Sequence, residues 1–138
     1  MVARTDVVIN ETTTRETYLT NTFTLPVAGD YLVNVVMQYS HDSTTVNFQA
    51  NVEIGAADIP FVRHEPQDSA GAGVAAPTTG GVADNTGTDQ RFTGVFEELV
   101  VGVSGDLTVA LTWDSQTAGV EAAIYRATIG VKRVNNGL

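Results

Sequence analysis

The sequence predicts an all-β fold, a sandwich or barrel of seven or eight antiparallel strands. Apolar residues recur at every second position through most of the chain. Short clusters of Gly, Asp, Ser and Pro punctuate that pattern roughly every ten residues. No stretch carries the 3.6-residue apolar period of an amphipathic helix.

Each strand can be justified in order. "DVVIN" (6–10) and "TYLTNTFTL" (17–25) open the set, and "PVAGD" (26–30) reads as a turn after them. In "YLVNVVMQY" (31–39), Tyr31, Val33, Val35, Met37 and Tyr39 share one face. Leu32 and Val36 are apolar on the other face, as in a central strand covered on both sides or one lying at an interface. "TVNFQANVEI" (45–54) puts Val46, Phe48, Ala50, Val52 and Ile54 on one side, with Asn47, Gln49, Asn51 and Glu53 opposite. The turn signal "IGAAD" (54–58) leads to a weaker strand, "IPFVRH" (59–64). "RFTGVFEELVV" (91–101), the turn "VSGD" (103–106) and "DLTVALTW" follow, with Leu107, Val109, Leu111 and Trp113 inward and Thr108, Ala110 and Thr112 outward. In "VEAAIYRATIGVKRV" (120–134) a helix competes over 121–127, but the β-branched tail and Gly130 favour a strand. Its predicted inward set is Tyr125, Ala127, Ile129 and Val131, with Arg126, Thr128 and Lys132 outward.

One segment breaks the rhythm: "QDSAGAGVAAPTTGGVADNTGTDQ", residues 67–90. Neither flank holds enough strands to bury a core alone, so it is an insert within a single domain spanning 1–138. It lacks the aromatic and histidine side chains of a gripping or catalytic loop. A surface loop and an arm laid on a partner remain as its two readings.

Composition limits the partners. Charged residues make up 17% of the chain, below the ~25% usual for soluble domains, and a surface so poor in charge favours an oligomer or an assembly component. The net charge of −9, with seven Lys and Arg, disfavours nucleic acid and anionic membranes. No apolar run approaches a membrane-spanning length, and no apolar core follows the N-terminal Arg4 as a secretory signal would require. The absence of cysteine excludes disulfides and thiolate metal sites and fits synthesis in a cytoplasm.

Signs of catalysis are weak throughout. "SHDS" (40–43) contains the residue types of a hydrolase triad, but neighbours in a turn do not converge. His64 in "RHE" could join His41 on a metal, without a spaced third ligand. "DNTGTD" offers oxygens from Asp84 to Asp89 for a weak calcium site, at spacing unlike an EF-hand. Glu97 and Glu98 point to opposite faces of their strand, and "GAG" and "GG" follow no strand that would make them a phosphate cradle. Trp113 ends an inward set and reads as core, and Asn10-Glu11-Thr12 is a sequon without a secretory signal. The expectation is no enzyme and no cofactor.

"FTLPVAGDYLVNVVMQYSHDSTTVNFQANVEIGAADI" (23–59), with Gly29-Asp30-Tyr31 opening an alternating strand, resembles the jelly-roll modules of the tumour-necrosis-factor and C1q type. "GDLTVALTW" and the segment 120–134 look like that fold's closing strands. Among such proteins the chain is most similar to the trimeric decoration, or cement, proteins of tailed-bacteriophage capsids. The resemblance implies a homotrimer of jelly-roll β-sandwiches, bound to the major capsid protein at the virion surface after synthesis in the bacterial host cytoplasm. Leu32, Val36, Tyr39 and Tyr125 are the expected trimer interface. Residues 1–11, with Val7, Val8 and Ile9, and the insert, with Val74 and Val82, are the expected capsid-binding arms. The alternative is a receptor- or carbohydrate-binding module of a phage tail or surface appendage. Against it stands an aromatic content of 7%, most of it alternating into strands where a sugar could not reach it.

Overall fold

The structure, a computed structural model, describes residues 1–41, 48–64, 74–75, 92–115, 118–119 and 121–134. They form an antiparallel jelly-roll β-sandwich whose strands are β1 (Val2–Arg4), β2 (Val8–Asn10), β3 (Glu16–His41), β4 (Gln49–Ile54), β5 (Ala57–His64), β6 (Val74–Ala75), β7 (Phe92–Asp114) and β8 (Ala122–Arg133). The hydrogen-bonded order is β1-β8-β3-β7-β4-β5-β6, and β2 also pairs with β8.

Two strands are far longer than the alternation suggested. The segments 17–25 and 31–39 are one strand of 26 residues, and 92–101 and 106–113 are one of 23. "PVAGD" and "VSGD" therefore reverse nothing. They lie opposite each other, with Leu25 beside Gly105 and Gly29 beside Val103, where the β3–β7 ribbon is irregular and bends. Gly102 and Gly105 adopt positive φ of 66° and 76°, conformations that a side chain resists. A turn signal matched by another across a ribbon makes a shared kink, which local sequence cannot tell from a hairpin.

The kink divides the ribbon between two layers. The second half of β3 and the first half of β7 join β8, β1 and β2. The first half of β3 and the second half of β7 join β4, β5 and β6. At the β4–β5 hairpin, "IGAAD" does make a tight reversal: Ile54 pairs with Ala57 and Gly55 has a φ of 59°, as a two-residue hairpin loop requires.

The inward faces of both layers supply the core. Val33, Val35, Met37 and Tyr39 of β3 are fully buried, as are Phe48, Ala50 and Val52 around β4 and Val109 and Leu111 of β7, all as their alternation predicted; Val46 lies outside the described residues. Rings lock the layers together: Tyr39 stacks on Phe48 at 4.5 Å and Phe61 meets Phe96 edge-on at 5.6 Å, while within one layer Tyr18 meets Trp113 edge-on at 5.9 Å. Gly94 lies where β7 passes beneath β5; a Cβ there would come within 3.0 Å of the Phe61 ring.

In β8 the predicted inward set needs one correction. Ala127 and Ile129 are buried as expected, but Ile124, not Tyr125, fills the next core position. The register on β3 explains it: Gln38 pairs with Arg126 and Tyr39 with Ile124, so Tyr125 is an extra, bulged residue. A bulge shifts the period-two pattern by one, and only the partner strand reveals it.

Candidate functional site

The β8 bulge shapes the most distinctive feature of the surface. Arg4 of β1 pairs with Ala127 and Val8 of β2 with Ile124, so Thr5, Asp6 and Val7 leave β8 beside the bulge. Below this gap lies a cleft of about 400 Å3 on the outer side of the β1–β8–β3–β7 layer, within the size range of small-ligand sites. It is lined by Ala3, Arg4 and Thr5, by Val36 and Gln38 of β3, by Thr93 of β7, and by Arg126, Ala127 and Thr128 of β8.

Strand alternation places these side chains. Gln38 lies between Thr93 on β7 and Arg126 on β8, and Val36 lies between Val95 and Thr128 in the next row. Val36 and Ala3 form an aliphatic floor, and Gln38, Thr93, Arg126 and Thr128 rise around it. Among the described residues, none of these four polar side chains is hydrogen-bonded within the chain. The amide and hydroxyls can both donate and accept, and the guanidinium donates from a rigid fork.

One wall is fixed. Arg4 donates to both carboxylate oxygens of Asp6, each at 2.7 Å, and to the Tyr18 carbonyl at 2.6 Å, with its guanidinium over the Tyr18 ring. The hydrogen bonds from Arg4 hold the Asp6 carboxyl below its ordinary value. The Tyr18 hydroxyl donates to the Asp6 carbonyl at 2.6 Å, tying the 5–7 excursion to the core. At the other end, Tyr125 and Ser40 share a hydrogen bond of 2.9 Å, which anchors the bulged residue.

The cleft continues along the same face. A second hollow of about 370 Å3 is lined by Met1, Leu32, Asn34, Glu97, Gly130, Val131 and Lys132. Apolar side chains stand exposed between and beside the two: Val95 is 38% exposed, Leu99 50% and Ile9 49%.

The residues expected at a trimer interface separate here. Leu32 and Val36 are half-buried on this outer face, as the doubly apolar strand suggested. Tyr125 is half-buried and bonded to Ser40. Tyr39 is a core residue at 0% exposure, stacked on Phe48, and burial pushes its phenol well up; it can form no interface. Of the expected arms, residues 2–4 and 8–10 are strands of the sandwich itself. Val8 packs against the core, and Val7 and Ile9 face solvent. Val74 belongs to the two-residue strand that pairs with His64, and Val82 lies outside the described residues.

The catalytic and metal candidates fare as follows. Ser40 is buried and bonded to Tyr125, while Asp42, Ser43, Glu65 and the 84–89 segment lie outside the described residues. Among the described residues, no group of three or more His, Asp or Glu is placed to hold a metal ion. Trp113 is core, its indole N–H donating to the Ala122 carbonyl at 3.3 Å. The Asn10 side chain is also committed: it donates to the Thr14 and Trp113 carbonyls and accepts from the Thr12 amide and hydroxyl. A glycan cannot be attached to a buried amide so engaged. What sequence reasoning missed was the Gln38–Thr93–Arg126–Thr128 group. The outward alternation of Arg126 and Thr128 was its one visible signal.

No family model matches the chain, and no curated protein matches it in sequence. Three solved structures superpose on it. The EclA C-terminal domain, a sugar-binding protein, superposes with a TM-score of 0.50 at 10% identity, over 94% of this chain and 81% of that one. CBM35 from Cellvibrio japonicus Abf62 gives 0.42 at 14% identity, over 96% and 90%. Dimeric latent PorU from Porphyromonas gingivalis gives 0.43 at 10% identity, over 93% of this chain and 12% of that much longer one. At 10% identity the likeness to the EclA domain is one of fold alone.

Proposed function

We propose that this chain is a non-catalytic carbohydrate-binding β-sandwich module whose ligand lies in the cleft over Val36 and Gln38. The carrying observation is the cleft itself: four polar side chains with uncommitted hydrogen-bonding capacity around an aliphatic floor. Sugar hydroxyls both donate and accept, so they suit an amide, two threonines and a guanidinium, and the C–H face of a pyranose suits Val36 and Ala3. The fold shared with a sugar-binding domain supports the reading. Among the described residues no aromatic lines the cleft, so recognition here rests on hydrogen bonds and aliphatic contact, without ring stacking.

A glycan array followed by NMR titration tests this. The expected result is selective binding, with amide shifts concentrated at Gln38, Thr93, Arg126 and Thr128. Binding to no glycan, or shifts on the opposite layer, would overturn it.

The same face supports a second reading, self-association in a virion decoration protein. Leu32, Val36, Val95 and Leu99 form neighbouring apolar pairs in register across β3 and β7. Four strands at about 4.8 Å spacing and some twelve residues at about 3.3 Å rise span roughly 750 Å2. That is close to the ~800 Å2 per partner of a stable interface. In this reading the chain forms a homotrimer on the major capsid protein at the virion surface. Light scattering on the eluting protein separates the two: a monomer at micromolar concentration removes the second reading and leaves the cleft open.

A further inference from the structure

We infer that the cleft selects an acidic saccharide, one whose ring carries a carboxylate, and that Arg126 is the residue that reads it. This rests on the carbohydrate-binding reading above and narrows its ligand class. The chain holds 16 acidic residues against seven Lys and Arg, yet the described residues that line the cleft include two arginines and neither Asp nor Glu. On so acidic a protein, a pocket that takes a neutral ligand has no need to exclude carboxylates from its walls.

The two arginines do different work. Arg4 is neutralised by Asp6 and held against Tyr18, so it shapes the wall without a spare charge. Arg126 is exposed and, among the described residues, has no ion-pair partner. The outward-facing carboxylate of β7, Glu97, pairs in register with Asn34, two rows from the Gln38–Arg126 pair. At about 3.3 Å per residue that separation is about 13 Å, beyond a Debye length at physiological salt. Glu97 therefore does not oppose the cation over the cleft.

Geometry favours a carboxylate over a bare charge. The bulge at Tyr125 directs Arg126 out beside Gln38 and Thr93, whose donors are one and two strands away in the same row. A planar carboxylate accepts two parallel bonds from a guanidinium fork and has lone pairs left for an amide N–H or a hydroxyl. The aliphatic floor at Val36 lies in the adjacent row, where the sugar ring attached to that carboxylate would rest.

The test uses the full chain and two matched probes, a glucuronate-containing oligosaccharide and its neutral glucose counterpart, measured by calorimetry at low and physiological salt. The acidic probe should bind at least about tenfold more tightly, as one charge-assisted hydrogen bond confers, and should weaken with salt. Arg126→Gln should erase that preference while leaving the unfolding temperature unchanged; Arg126→Lys should restore only part of it. Equal binding of both probes, or a preference that survives Arg126→Gln, overturns the inference and leaves the carbohydrate reading standing. Binding of neither probe, nor of any glycan on the array, overturns both.

Discussion

The two outer faces of this sandwich are built from the same alternating strands and treat their polar groups in opposite ways. On the β3–β7–β4–β5 layer the outward side chains bond one another. Thr22 and Thr108 share a bond of 2.8 Å, Thr24 donates to Asp106 at 2.9 Å, and Asp58 accepts from Arg15 at 2.7 Å and from Asn51 at 2.8 Å. On the β1–β8–β3–β7 layer, Gln38, Thr93, Arg126 and Thr128 bond nothing among the described residues, and Val95 and Leu99 lie open on the same face. A face that satisfies its own polar groups contributes to stability. One that leaves them unmet beside exposed apolar carbon is equipped to meet another molecule.

The contrast breaks most sharply if matched substitutions behave alike. Asn51→Ala removes a 3%-exposed amide that donates to Asp58. It should cost about 1–3 kcal/mol in chemical denaturation and leave ligand affinity unchanged. Gln38→Ala on the other face should cost under about 0.5 kcal/mol and lower affinity. Equal stability losses would erase the distinction.

Acid sharpens it. Burial alone would raise the Asp58 carboxyl, but the hydrogen bonds from Arg15 and Asn51, with the Arg15 charge, outweigh it and hold the group below its ordinary value. A depressed carboxyl stabilises the fold above the unfolded-state pKa of about 4 and loses that contribution as pH falls through the lower folded value. Stability measured from pH 5 down to 2 should therefore decline, and Asp58→Asn should flatten the decline. Asp6 titrates in the same direction, so some slope should remain.

The smallest effect concerns Thr112, whose hydroxyl is buried without a partner among the described residues. Thr112→Val keeps the shape and removes that unmet group, so thermal unfolding should stay level or rise by a few degrees. A clear fall would show that the hydroxyl is satisfied in solution and that this face is more fully bonded still.

Much of this arrangement was legible before any coordinates. Phe48, Ala50, Val52 and Ile54 alternate with polar neighbours, and all four are buried. Arg126, Thr128 and Lys132 were placed outward, and they line the two hollows of the outer face. The site was not legible as a site, because its members come from four strands scattered over the chain, with Thr5 and Thr128 more than a hundred residues apart. Tyr39 misled for a related reason: an aromatic at the end of an apolar strand suits an interface and a core equally well until its neighbour Phe48 is located.

What the sequence determined by itself is periodicity, and with it which side chains of each strand face together, since alternation follows from the pleat of a single chain. Tertiary structure decided what needs two strands to exist. The kink of the β3–β7 ribbon depends on irregularities that meet across it, and the bulge at Tyr125 shows only in register with β3 and β2. That bulge opens the cleft. Pairing is a relation between distant segments, and no window of local sequence contains it.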